Sequence, residues 1–143
     1  MRIFTIGYEA ATMAEFLAAL RSAGVERVID VRALPLSRRP GFSKSPLRAA
    51  LEEAGIEYAH LKALGTPADG RSAARAGRHE ELEQIYSDQL ELPEAIVQAE
   101  QMRELAAEKP SALLCYERDP ALCHRSLLLA AVAGDAAVTH LFP

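Results

Sequence analysis

The chain has 143 residues, half of them apolar and a quarter charged, with a net charge of −4 and two cysteines. That length suits one domain with a sizeable core, and the charge gives no bulk attraction to nucleic acid. No apolar run nears the ~18 residues of a membrane span, and two cysteines do not make a disulfide framework.

The first segment, RIFTIG, reads as a short apolar strand ending at Gly7. The amino terminus lacks the apolar stretch and cleavage residues of a secretory leader, so a cytoplasmic setting with reduced thiols is the expectation. Thr12 and Glu15 have the spacing of a capping box, and Met13, Phe16, Leu17 and Leu20 follow helical periodicity to a stop at Gly24. VERVIDVR is the second strand, apolar on both faces as in a parallel sheet.

The loop ALPLSRRPGFSKSP follows, punctuated by Pro35, Pro40, Gly41 and Pro46. Ser45 is expected to cap the next helix with Pro46 at its first position, ending at Gly55. IEYAHL is a third strand, and Gly65 to Gly77 reads as a mobile or ligand-ordered loop. A long helical region covers about residues 78 to 108, broken near Pro93. SALLCYE is the fourth strand, LCHRSLLLAAVAG a buried helix, and AAVTHLF the last strand. The alternation predicts a single three-layer α/β domain over residues 1–143, with a mostly parallel sheet of about five strands flanked by helices.

In open parallel α/β sheets, ligands bind beyond the carboxyl ends of the strands. Those ends carry the unusual polar residues: Gly7 to Glu9, Asp30 and Arg32, His60, and Tyr116 and Glu117 before Cys123, His124 and Arg125. Residues 31–51 hold Arg32, Arg38, Arg39, Lys44 and Arg48 with no acidic residue, whereas the acidic run of 79–102 reads as a solvated helix face. Arg38 and Arg39 in a Pro- and Gly-rich loop suit clamping of a phosphate or carboxylate. Asp30 is either a general base or the buried partner of Arg32. His60 reads first as a structural histidine.

The motif CYERDPALCHRS brings four chemistries into question. A structural zinc site wants four ligands, and only Cys115, Cys123 and His124 offer themselves. Seven residues separate the cysteines, so a C-x-x-C redox pair is absent, and Cys115 is expected to point into the core. A phosphatase loop between nucleophilic Cys and Arg is also missing. Cys123 near a helix start has the setting of a lowered pKa, but adjacent helical residues diverge by about 100°, so His124 is not its base. The favoured reading is that Arg125 and the helix start bind an anion, shaped by Cys123 and His124, the alternative being that Arg125 pairs with Glu117 or Asp30.

TIGY near the start, DVRALPLSRRPGFSKSPLRAALEEAGIEYAHLKALG in the middle and LLCYERDPALCHRSLLLA near the end resemble the bacterial family called domain of unknown function 488. The resemblance spans nearly the whole chain and implies a compact α/β domain with no established activity. Its characteristic residues fall on Gly7, Asp30, Arg32, Pro35, Ser37, Phe42, His60, Leu64, Gly65, Cys115, Glu117, Cys123, His124 and Arg125. Many members carry a double glycine where this chain has Gly65 and Thr66.

Together these readings lead to an enzyme, a hydrolase or transferase, acting on a phosphate-bearing ligand such as a nucleotide or nucleic-acid end. Asp30, Glu117 and His124 are the candidate acid-base groups. Arg32, Ser37, Arg38, Arg39, His60, Cys123 and Arg125 are the candidate ligand-binding residues. The competing expectations are a non-catalytic nucleotide or nucleic-acid module using the basic loop, and a metal-binding protein using Cys123 and His124 with a carboxylate. The sequence leaves the cofactor unknown and points to no membrane partner.

Overall fold

The apolar runs separated by capped amphipathic segments resolve into a sheet between helical layers. A computed structural model describes all 143 residues. Its strands are β1 (Arg2–Gly7), β2 (Arg27–Asp30), β3 (Glu57–His60), β4 (Ser111–Cys115) and β5 (Ala137–Leu141). They form one sheet in the order β3-β2-β4-β1-β5, every neighbouring pair parallel. The helices are α1 (Met13–Ser22), α2 (Lys44–Glu53), α3 (Ala68–Arg75), α4 (His79–Leu90), α5 (Pro93–Glu108) and α6 (His124–Val132).

Alternation along the strands divides the core between two faces. Phe4, Ile6, Val28 and Leu114 pack against Phe16 and Leu20 of α1 and Leu47 and Leu51 of α2. Ile3, Ile29 and Leu113 face the other way, against Tyr86 of α4, Met102 of α5 and Leu128 of α6. The result is the expected three-layer α/β architecture, with the sheet parallel throughout. No helix is long and apolar enough to cross a membrane.

Local rules explain most element boundaries. In α1 the Thr12 side chain accepts from the Glu15 amide at 3.1 Å, and the Glu15 carboxylate accepts from the Thr12 amide at 2.9 Å, completing the capping box. The break near Pro93 is present, with α4 ending at Leu90 and Pro93 opening α5.

Two segments differ from expectation. The helix expected to start after Ser45 begins earlier, with Ser43 at its N-cap. The Ser43 hydroxyl does not cap; it accepts from the Ser37 amide at 3.0 Å and ties down the preceding loop. Pro46 is thus the third helical residue, where an amide would still lack an intrahelical partner, so the proline is tolerated. The other departure is Gly65 to Gly77, expected to be a loop, which contains α3. Small residues allow this: Gly70 is buried against α4 and Thr66, and a Cβ there would come 2.5 Å from Thr66 Cγ2 and 3.2 Å from Ile85 Cγ2.

β2 and β4 are neighbours, yet the chain leaves β2 for α2 on one face and leaves β4 for α6 on the other. Diverging connections of this kind leave a crevice at the strand ends.

Candidate functional site

A cleft of about 490 Å3 occupies that crevice. One wall is the loop after β2, with Arg32, Ser37, Arg38 and Arg39. A second is α3, with Arg71 and Arg75, and a third is the β4 exit and α6 start, with Cys115, Glu117, Cys123 and His124. Of the residues selected from sequence, Asp30, His60 and Arg125 do not line it.

Asp30 ends β2 fully buried, and its carboxylate is saturated. Arg32 donates to Oδ1 from Nε at 2.9 Å and to Oδ2 from Nη2 at 2.8 Å, a bidentate pair. Oδ1 also accepts from the Arg32 amide at 3.1 Å, and Oδ2 from the Tyr58 hydroxyl at 2.6 Å. Burial, and then the charge of Asp30, pushes the Tyr58 hydroxyl above its ordinary range, so it remains a donor. Arg32 Nη1 donates to the Phe42 carbonyl at 2.7 Å and to the Tyr8 hydroxyl at 3.2 Å. His60 Nε2 lies 2.8 Å from the Arg32 carbonyl. A carbonyl only accepts, so that nitrogen carries the proton and Nδ1 accepts from Lys44 Nζ at 3.2 Å. Asp30 and His60 thereby fix the β2 exit.

The basic loop and α3 present their guanidiniums differently. Arg39 donates to the Ala11 carbonyl, and its amide donates to Ser37 Oγ at 3.1 Å. Arg71 donates to the Thr66 carbonyl at 2.8 Å and Arg75 to Ser72 Oγ at 3.2 Å. None of Arg38, Arg39, Arg71 and Arg75 has a carboxylate within ion-pair distance. Arg71 and Arg75 lie outside the candidates that the sequence offers. Their i, i+4 spacing puts them on one helical face, a signal hidden once the segment is read as loop.

At the β4 exit the chain turns back through a short 3-10 turn, Pro120–Leu122, capped by Asp119, whose side chain accepts from the Ala121 amide at 2.9 Å. The turn returns Cys123 to the end of β4, and the Cys115 and Cys123 sulfurs lie 2.7 Å apart, both as free cysteines. Cys115 is buried, as expected, and it also borders the cleft beside Cys123. Spacing along the chain had hidden a pair that the turn assembles.

Cys123 is the N-cap of α6, and its sulfur accepts from the Arg125 amide at 3.4 Å. His124 Nε2 donates to the Val31 carbonyl at 2.8 Å, leaving the Nδ1 lone pair unused. Burial pushes this ring down to about 4, so it is neutral at pH 7. Burial also raises the Glu117 carboxyl above its usual range.

Arg125 is fully buried and pairs with neither Glu117 nor Asp30. Its Nη2 donates to the Arg118 carbonyl at 2.9 Å, its Nη1 points to the Cys115 sulfur at 3.5 Å, and its Nε has no partner. The close packing there explains Gly7 at the end of β1. A Cβ at that position would lie 1.8 Å from the Glu117 carbonyl oxygen and 2.7 Å from Arg125 Nη1.

Cys115, Glu117 and Cys123 bring metal-capable donor atoms within 4.8 Å of one another. His124 is not part of this group. The buried guanidinium against Cys115 also opposes a cation at that position.

The family model described as "Domain of unknown function DUF488" matches residues 12–132. No curated protein and no solved structure matches the chain.

Proposed function

The chain belongs to the DUF488 family, and from that premise we propose that it is an enzyme acting on a phosphate-bearing ligand, a nucleotide or a nucleic-acid end, held in the strand-end cleft. The observation that carries this reading is the charge of the lining. Arg32, Arg38, Arg39, Arg71 and Arg75 meet there with Glu117 as the sole carboxylate, in a chain whose net charge is −4. A volume of about 490 Å3 falls within the roughly 300–1,000 Å3 of small-molecule sites.

The four arginines without carboxylate partners hold the phosphates from two walls, as planar forks suited to phosphate oxygens. Leu34, Leu36 and Tyr116 line the same cleft and are 54%, 66% and 45% exposed, which offers apolar surface for a base or sugar. Glu117, kept protonated to higher pH by burial, serves as general acid. His124, neutral and with Nδ1 free, serves as the base that activates a water or hydroxyl. Asp30 acts as a positioning residue, holding Arg32 at the edge of the cleft.

Calorimetric titration with nucleoside mono-, di- and triphosphates and with pyrophosphate tests the binding half. Wild-type protein is expected to bind at least one of them, and Arg38→Ala with Arg75→Ala to weaken that binding by about tenfold or more. Binding that ignored both substitutions would overturn the reading. For catalysis, Glu117→Gln and His124→Asn are expected to lower turnover by about a hundredfold with affinity retained. Tight binding with no turnover in any variant, wild type included, would leave a binding module in place of an enzyme.

A further inference from the structure

We infer that Cys115 and Cys123 are a dithiol–disulfide couple that reacts with anionic low-molecular-weight disulfides, Cys123 attacking and Cys115 resolving. The preference for anions rests on the reading of the cleft given above; the couple itself does not. Three observations converge on it. The sulfurs are already in contact at 2.7 Å, brought there by the Pro120–Leu122 turn with no link between them. Both line the cleft, at 5% exposure for Cys123 and 1% for Cys115, so a small disulfide entering it reaches Cys123 first. The guanidinium of Arg125, fully buried, has an unpartnered Nε and no carboxylate, and directs Nη1 at Cys115. That cation lies beside the resolving sulfur, where it stabilises the Cys115 thiolate formed once Cys123 has been converted to the mixed disulfide.

The order of attack follows from position. Cys123 is the N-cap of α6 and the less deeply buried of the two sulfurs, so it stands nearer an incoming disulfide. Cys115 lies deeper; burial and then the adjoining Cys123 push its thiol well above the ordinary range, so it stays protonated in the resting dithiol. In the first step the Cys123 thiolate attacks one sulfur of the disulfide RSSR, forming a Cys123–S–SR bond and releasing RS−, which takes up the Cys123 proton. Conversion of Cys123 to the mixed disulfide removes one of the groups that hold Cys115 protonated. Cys115 then attacks the Cys123 sulfur, the S–SR bond breaks, and the second RS− leaves with the Cys115 proton. The protein dithiol and RSSR become the protein disulfide and two RSH, with two electrons passing to the small disulfide.

The test uses the whole chain with oxidised glutathione, net negative, and cystamine, net positive, as probes. After exposure to oxidised glutathione, alkylation and mass measurement are expected to find no free thiol, a loss of two hydrogens and no adduct, reversed by a reductant. Cys115→Ser is expected to stop at a stable glutathione adduct on Cys123, and Cys123→Ser to remain unmodified, with circular dichroism confirming that both are folded. Two persistently alkylatable thiols, disulfides only between chains, or co-purified zinc requiring both cysteines would each overturn the couple. Oxidised glutathione is expected to react faster than cystamine by about tenfold or more, a preference that Arg38→Ala with Arg75→Ala abolishes. Rapid internal closure with no such preference would support the couple and count against the anion reading of the cleft.

Discussion

Two arginines are buried at adjacent strand ends, and the fold treats them in opposite ways. Arg32, 6% exposed, is held by both oxygens of Asp30, the Phe42 carbonyl and the Tyr8 hydroxyl. Arg125 is completely buried, yet it has a carbonyl, a thiol and an unpartnered Nε. The first region is electrostatically closed, with its charge neutralised where it lies. The second keeps an uncompensated charge beside a buried thiol. Burial of a charge is costly in either place, and only at Arg32 does a carboxylate offset that cost.

Breaking the closed region should have the largest effect. Asp30→Asn removes the counter-ion and strands Arg32, and urea unfolding is expected to show a loss of about 3–5 kcal/mol. A loss below about 1 kcal/mol would erase the distinction between the two arginines.

Between the regions lies His124, whose ring reaches from the α6 start to the Val31 carbonyl. Burial depresses its pKa from 6.5 to about 4, so between those values the unfolded chain binds the proton that the folded ring refuses. Stability is therefore full above pH 6.5 and is lost as pH falls towards 4, by about 3 kcal/mol over that window. Thermal unfolding across it should show a steep decline, and His124→Asn should flatten the curve.

Arg125→Met is expected to change stability by only about 1 kcal/mol, because it strands no carboxylate and removes a buried charge. Side by side with Asp30→Asn, this pair of unfolding curves gives the sharpest form of the comparison. Smallest of all, Arg38→Ala and Arg71→Ala should each shift unfolding by less than about 0.5 kcal/mol, since neither holds a carboxylate in the fold. Their effect belongs to ligand binding, and a large loss of stability from either would mark it as structural.

Much of the fold was legible because the signals were local. Thr12 and Glu15 announce α1, Pro93 announces the break between α4 and α5, and the apolar runs of β1, β2 and β4 announce a sheet covered on both sides. The segment 65–77 was not legible, because Pro67 and its glycines speak for a loop. The buried contact of Gly70 with α4 decides otherwise, and it cannot be seen from neighbours in sequence. Missing α3 meant missing Arg71 and Arg75. The clustering of Arg32, Ser37, Arg38, Arg39, Glu117, Cys123 and His124 was readable from strand direction, since polar residues at carboxyl ends must share one edge of a parallel sheet.

By itself, then, the sequence determined the layering, the parallel sheet and the edge on which its unusual polar residues gather, because periodicity and capping act over a few residues. Tertiary structure decided what each of those residues does. It closed Asp30 on Arg32 and Tyr58, turned His60 to the Arg32 carbonyl, and left Arg125 without a carboxylate. It brought Cys115 against Cys123 across seven intervening residues. Those outcomes depend on side-chain distances of a few ångströms between elements far apart in the chain, and neither composition nor spacing encodes them.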